Sequence, residues 1–431
     1  MARTDVIYFD FAKAFDSVSH DIILYKLKHQ YNIDGLLLKF LQSYLMDRKQ
    51  CVVIDGHKSN LLDVLSGVPQ GSILGPLLFV LFINDMQDCV DTLTTIALYA
   101  DDTKIWRRII HFSDHEALQN DINHLLQWSI NNKMKFHPSK CKVLSVTNER
   151  NQIIFPFSDV YPYCMGNDVL DYVKSEKDLG VLVSTNLLWN EQCNTLYAKA
   201  NSRLGLTKRT CHFTKNKQQK RALYLALVRS QFQHCSVIWK PHTIKIKNKL
   251  DSIQKRGIKW ILSEHSKSYS KVDFLIKQRS LDILPINEHL LLTDLILFHK
   301  IFYKHICIAM PDYIQVIDAE SLNATTTRML ATARELSDNL LLKCKIVPKK
   351  DAFTNSFFYR SHLEWNKLDF SLRKITEPET FKVNLRKHIW NHLLNCNPLA
   401  VSTIVPNSCW SAICKLISPN FYPSIHIIYY I

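Results

Sequence analysis

The chain has 431 residues, 47% of them hydrophobic, which excludes a disordered arm and is enough for a sizeable core in two or three domains. Fifty-four Lys and Arg against 39 Asp and Glu give a net charge of +15, spread through the second half rather than gathered in a tail, as suits a polyanionic partner. Twelve cysteines without a CxxC pair, and no signal-peptide pattern at the start, argue against a disulfide-stapled secreted domain and for reduced thiols in an intracellular setting.

The first predicted element is the strand-like run from Asp5 to Phe9, which delivers Asp10 at its end and then turns helical through Phe11, Ala12, Lys13, Ala14, Phe15 and Asp16. Asp10 reads either as an exposed strand-end carboxylate or as a metal ligand, and Asp16 as a helix cap. Next comes the Gly/Pro-punctuated segment Ser66-Gly67-Val68-Pro69-Gln70-Gly71-Ser72-Ile73-Leu74-Gly75-Pro76, which runs into the apolar stretch Leu77 to Met86. Three of only nine glycines fall there, so a shaped turn or a close backbone approach to a ligand is expected, with a loop-to-helix junction capped by Ser72 as the plainer reading.

Thr95 to Tyr99 is apolar and β-prone, and Thr103 to Trp106 resumes extended character, so Asp101 and Asp102 are placed at the turn of a hairpin. Adjacent carboxylates repel each other, and such a turn is either solvated or neutralised by a cation. With Asp10 as a third carboxylate, the set suits divalent-metal phosphoryl chemistry, since Mg²⁺ takes one or two protein carboxylates and completes its shell with substrate phosphates. Lys133, Lys135, Lys140 and Lys142 then cluster before the strand-like Val143 to Val146, where a lysine can meet a triphosphate or protonate a leaving pyrophosphate.

In this order the motifs around Asp10, Gln70, Asp101-Asp102 and Lys140 resemble the palm of a non-LTR (LINE-type) retrotransposon reverse transcriptase, nearest the jockey and CR1 groups. The resemblance implies an α+β fold: a palm of antiparallel sheet with packed helices, then a helical thumb and a helical basic carboxy-terminal region. It implies catalytic Asp10, Asp101, Asp102 and Lys140, with Lys142 as the rival lysine. The three aspartates would bind Mg²⁺ or Mn²⁺, Asp10 and Asp101 being the principal ligands. Phe15 would stack under the sugar and exclude a ribose 2′-hydroxyl, and Gln70 and Gly71 belong to the loop lining the nucleotide pocket. The implied partners are template RNA, a DNA primer 3′ end and deoxynucleoside triphosphates.

Similarity continues beyond the palm. Lys177 to Leu182 resembles the family's primer-gripping hairpin, Leu223 to Trp239 its helical thumb, and Leu250 to Arg256, Arg279 to Pro285, Phe357 to Leu368 and Glu379 to Lys382 its carboxy-terminal region. The expected divisions are 1–187 palm, 188–270 thumb, 271–396 basic helical region and 397–431 unassigned tail. Lys199 to Lys220 and Lys240 to Lys259, interleaved with Trp239 and Trp260, offer a surface for tracking a nucleic-acid backbone. His388, His392 and Cys396, four apart on a predicted helix with Cys409 and Cys414 nearby, read as packing or as a zinc site.

The apolar stretch from Ile417 to Ile431 is short and broken by Pro419 and Pro423, so no membrane span is expected from it. Asp10 stands so near the start that the fingers and the endonuclease of the family are expected to be missing, as in a truncated copy. The alternative to a polymerase is therefore an inactive remnant that only binds nucleic acid. Nuclear action is implied solely by the family's priming on chromosomal DNA.

Overall fold

In the computed structural model the described residues are 3–147, 161–264, 268–317, 340–347 and 351–396. The chain divides into two compact units, Met1–Leu188 and Trp189–Ile431. The expected tail, 397–431, lies outside the described residues. No helix among the described residues is long and apolar enough to cross a membrane.

The first unit is built on a five-stranded sheet in the order β5-β4-β1-β3-β2, with β1 Arg3–Phe9, β2 Thr95–Tyr99, β3 Asp102–Ile109, β4 Lys142–Val146 and β5 Asp171–Tyr172. β1 is central and antiparallel to both β3 and β4, which is why it alternates strictly between buried and half-buried residues. Its alternation buries Asp5, whose charge is matched by Arg3 at 2.9 Å and whose oxygens accept hydroxyls from Ser145 at 2.7 Å and Tyr163 at 3.0 Å. Four helices, α1 His20–His29, α2 Gly35–Leu45, α3 Leu74–Ile83 and α4 Phe112–Asn131, accompany the sheet. Ile7, Ile105 and Val143 of the strands share one core with Ile23, Phe79, Phe82, Ile122 and Leu125 of the helices. A hairpin of β6 Ser175–Asp178 and β7 Val181–Ser184, turning through Leu179 and Gly180 at positive φ, closes the unit.

The second unit is mainly helical. Its longer helices are α5 Asn190–Thr210, α6 Lys217–Leu223, α7 Ile244–Leu262, α8 Lys271–Ser280, α9 Ile286–Phe302, α10 Phe357–Asn366 and α11 Pro378–Asn395. Helix α5 packs on α7, and α9 packs on α10 and α11 around Phe298, Trp365, Phe381 and Trp390. The segment expected to be helical from Leu223 to Trp239 is not one regular helix. It passes through a π turn at Tyr224–Val228, a 3-10 turn at Arg229–Phe232 and a left-handed residue, Cys235, before a last turn at Ser236–Trp239. Tyr224 is fully buried there, its ring lying where a Cβ on Gly257 would come within 2.3 Å. One tight helix-to-helix approach therefore sits beside the irregular turn.

Two sequence expectations are corrected here. Trp239 and Trp260 are 0% and 4% exposed and serve as core, so they offer no stacking platform. Lys220 is buried as well, donating to the Ser263 hydroxyl at 2.9 Å. At this amphipathic spacing apolar burial dominates, since an indole covers more apolar surface than any other side chain.

Candidate active site

Register places the acidic residues. Phe9 of β1 stands opposite Thr103 of β3, and one further step along the same register sets Asp10 against Asp102. In the hairpin, Tyr99 pairs with Asp102, so Ala100 and Asp101 form the two-residue turn. Asp102 is thus the first residue of β3 rather than part of the turn, a refinement of the sequence expectation. Ala100 takes φ 51°, a left-handed conformation that costs a non-glycine residue about 1–2 kcal/mol.

Aromatic packing holds Asp10. Phe9 and Phe11, on either side of it, are 4% and 6% exposed, and both rest on Phe136, with centroids 5.1 and 4.5 Å away. The backbone of residues 135–137 runs alongside: Ala12 N–H donates to Lys135 O and His137 N–H to Asp10 O, each at 2.8 Å. That pairing sets the 3-10 turn Pro138–Lys140 beside the strand end, and Lys140 Nζ comes to 3.2 Å from Asp10 Oδ2. The rival lysine is drawn elsewhere, Lys142 Nζ donating to Ser139 O at 2.7 Å and to Asp171 at 2.8 Å.

Electrostatics mark the cluster. Partial burial, then the carboxylates of Asp101, Asp178 and Asp10, push the Asp102 carboxyl above its ordinary range, with Lys104 opposing. Asp178, read from the sequence only as part of the hairpin 177–182 and not as a site residue, sits on β6 and pairs with Lys104 while accepting from the Tyr8 hydroxyl at 3.4 Å. The signal for it is non-local, since 74 residues separate Asp178 from Lys104.

The glycine-rich loop is tied to the segment after Asp10. Gly67 N–H donates to Val18 O at 2.8 Å, Val68 N–H to Phe15 O at 2.9 Å, and the Ser66 hydroxyl to Asp16 O at 2.8 Å. A Cβ on Gly67 would stand 2.9 Å from Asp16 Cα, and one on Gly75 2.5 Å from Pro69 O. The close approach anticipated at these glycines is to the chain's own backbone, while Gly71, at φ +78°, faces open space. Ser72 stands one residue before the helix N-cap, which is Ile73, and its hydroxyl accepts from Gly75 N–H at 3.0 Å, so the cap expected at Ser72 is displaced by one position. Asp16 does not cap a helix: it closes a short 3-10 turn and accepts the Gln70 side-chain amide at 2.9 Å. Its preference for an N-cap is overridden because the loop brings Gln70 within reach. Phe15 is half-buried, its ring stacked on Phe79 at 4.4 Å.

The set is suited to a hard cation. Asp10 Oδ2 has the Lys140 ammonium at 3.2 Å but accepts no hydrogen bond, and the neighbouring Asp101 and Asp102 also offer carboxylate oxygens. Among the described residues no three acidic, His or Cys side chains already converge into a chelating group. A Mg²⁺ ion does not need that, because one or two carboxylates suffice when phosphates complete the shell. The same absence bears on the zinc expectation. His388 lies 3.6 Å from Asp369, the Cys396 sulfur lies 3.9 Å from His392, and Cys409 and Cys414 are outside the described residues.

Residues 3–214 match the family described as reverse transcriptase (RNA-dependent DNA polymerase). The chain is similar to the RNA-directed DNA polymerase from mobile element jockey of Drosophila funebris, 29% identical over 206 residues that cover 46% of this chain and 21% of that protein. Its Drosophila melanogaster counterpart is 33% identical over 150 residues, covering 33% of this chain and 16% of that protein. The chain therefore spans about a fifth of the length of these relatives. Among solved structures, apo telomerase from Candida Tropicalis overlaps 69% of this chain and 50% of that chain at 10% identity and a TM-score of 0.35, too low to bear on the site.

Proposed function

Because residues 3–214 belong to the reverse transcriptase family and are similar to the jockey polymerases of non-LTR mobile elements, we propose that the chain is the polymerase part of such an element. In this reading it extends a DNA primer 3′ end with deoxynucleoside triphosphates on an RNA template. The observation that carries it is the delivery of Asp10 and Asp102 to one end of the sheet by the β1–β3 register, with Asp101 in the adjoining turn and Lys140 on Asp10.

Each residue has a role in that scheme. Asp10, Asp101 and Asp102 would hold Mg²⁺, or Mn²⁺ in its place. When bound, such ions make the primer hydroxyl a better nucleophile and offset charge on the departing pyrophosphate. Lys140 lies against Asp10, where an ammonium can neutralise the triphosphate or give up a proton to the leaving group. Phe15, braced from behind by Phe79, presents a rigid ring suited to excluding a 2′-hydroxyl. The Gln70 amide is oriented by Asp16, and Gly71 leaves its backbone uncovered beside it, as a nucleotide pocket requires.

In the second unit, α5 and α7 take the place of a thumb, with a basic helical region after residue 270. Lys249 covers the Tyr197 ring at 4.7 Å and Arg256 Nη2 lies 3.4 Å from the Tyr197 hydroxyl, a cationic, aromatic surface suited to a phosphate backbone. Action on chromosomal DNA would place the protein in the nucleus.

The deciding experiment is primer extension on an RNA template with Mg²⁺ or Mn²⁺, comparing the 431-residue chain with Asp101→Asn. Incorporation by the parent, abolished in the variant while RNA binding persists, is the expected result. Nucleic-acid binding without incorporation would assign this chain to the inactive remnant, and incorporation undiminished in the variant would overturn the site.

A further inference from the structure

The hairpin β6–β7 is fastened to the sheet both at its base and near its tip. At the base, where Thr185 N–H donates to Lys174 O at 3.0 Å, the fastening is main chain: Thr147 N–H, just past β4, donates to Thr185 O at 2.9 Å, and Val173 N–H to Val143 O at 2.9 Å. Near the tip it is ionic. Asp178, the last residue of β6, pairs with Lys104 of β3 and accepts from the Tyr8 hydroxyl of β1 at 3.4 Å. The Asp178 and Lys104 side chains are 9% and 17% exposed, so the pair is little screened by solvent.

Register puts this attachment beside the acidic cluster. Tyr8 pairs with Lys104 across β1 and β3, and Asp10 and Asp102 form the next pair on the same face of the sheet. Two steps of strand, about 7 Å, separate Lys104 from Asp102. Asp178 in turn pairs with Val181 across the hairpin, so the two-residue turn Leu179–Gly180 begins directly at the attached residue. Leu179 takes φ 44° and Gly180 φ 88°, the left-handed pair that a tight two-residue hairpin needs. Glycine adopts that geometry freely, whereas leucine is strained by it, and such strain persists where the surroundings fix the backbone. The turn is therefore a short, firm tip beside the carboxylates, with Gly180 exposed. With no side chain at Gly180, a sugar or phosphate can approach the backbone closely.

We propose that the Lys104–Asp178 pair is a latch that seats this tip beside Asp102, where the tip carries the 3′ end of a primer strand, which makes Asp178 and Lys104 positioning residues for its extension. The primer's part in this rests on the polymerase reading, and the latch itself does not.

The test joins two measurements on the 431-residue chain, on Asp178→Asn, on Lys104→Met and on the double variant. The double variant leaves neither charge unpaired, so it keeps the test decisive even if a single variant does not fold. Hydrogen–deuterium exchange without nucleic acid should show the amides of 179–182 about tenfold faster in each variant, with those of 105–109 in β3 unchanged. Single-turnover extension of a DNA primer on an RNA template with Mg²⁺ should slow about ten- to a hundredfold, as displacement of a reacting end would cause, while the KM for deoxynucleoside triphosphates stays within about twofold. A merely structural loss would instead lower the fraction of active protein and leave the rate of the remainder intact. The double variant should be as slow as either single one within about threefold, since both act through one contact. Unchanged exchange at the tip, an extension rate equal to the parent's, or losses that add in the double variant would overturn the latch. No incorporation by the parent would overturn the polymerase reading and the primer's part with it, while exchange at the tip would still decide the latch.

Discussion

Lys140 Nζ stands 3.2 Å from Asp10 Oδ2, so the ammonium occupies the side of the carboxylate that a metal ion would need. Both side chains are substantially exposed, and such a pair contributes at most about 1 kcal/mol, enough to hold the charges together yet weak enough to open. Lys140→Ala should therefore tighten Mn²⁺ binding in the absence of nucleic acid by up to about fivefold, read by electron paramagnetic resonance, and Asp10→Asn should weaken it. Primer extension should fall about a hundredfold in Lys140→Ala, the lower range for loss of a proton donor. Mn²⁺ affinity that is unchanged in Lys140→Ala would mean that the lysine does not compete for the site.

Gly67 offers a test of how the loop is anchored. Alanine there would be strained by φ +92° and would also meet Asp16 Cα at 2.9 Å and two carbonyl oxygens at 3.0 Å. Gly71→Ala would meet the conformational strain alone, because nothing lies within 4 Å of its Cβ position. Urea unfolding should show a loss of about 1–2 kcal/mol for Gly71→Ala and at least about 1 kcal/mol more for Gly67→Ala. Equal losses would show that the loop can move away from Asp16 without cost.

What the sequence revealed of this site was local. Alternation between Thr95 and Trp106 located the hairpin, Asp10 ended a predicted strand, and glycine scarcity elsewhere drew attention to Gly67, Gly71 and Gly75. The α+β character of the first unit and the helices of the second were implied by the family resemblance rather than by periodicity. Pairings across long sequence separations were hidden. Nothing local shows that Asp16 receives Gln70, or that Asp178 joins Lys104 beside Asp102, because those contacts exist only after the sheet and the loop have closed. Tryptophans amid lysines misled for a related reason, since composition does not reveal which side of a helix is covered.

The second unit has an ionic hub whose removal should be costly. Asp294, 1% exposed on α9, receives Lys240 at 2.8 Å and the Nε and Nη2 groups of Arg360, each at 3.0 Å. Asp294→Ala would leave two buried or half-buried cations without their counter-ion, a loss of about 3–5 kcal/mol. Asp294→Asn keeps an acceptor and should lose less. Denaturant titration followed by tryptophan fluorescence would report on this unit through Trp239 and Trp365, and an Asp294→Ala midpoint equal to the parent's would rule the hub out.

Asp251 on α7 should make stability depend on pH in the sense opposite to a salt-bridged aspartate. Burial, aided by the Glu288 carboxylate, raises its pKa to about 6, despite Lys255, the Ile286 N–H and Arg229 nearby. The folded state then holds this proton more tightly than the unfolded chain, whose aspartate titrates near 3.9. Its favourable contribution is complete below about pH 4 and fades as pH rises through about 6. Asp251→Asn copies the protonated carboxyl and keeps an oxygen to accept the Ile286 N–H. The variant should match the parent within about 0.5 kcal/mol near pH 4 and exceed it by about 1–3 kcal/mol at pH 8, as urea unfolding across that range would measure. A stability difference that does not grow between those pH values would mean that Asp251 ionises in the folded protein as easily as in water.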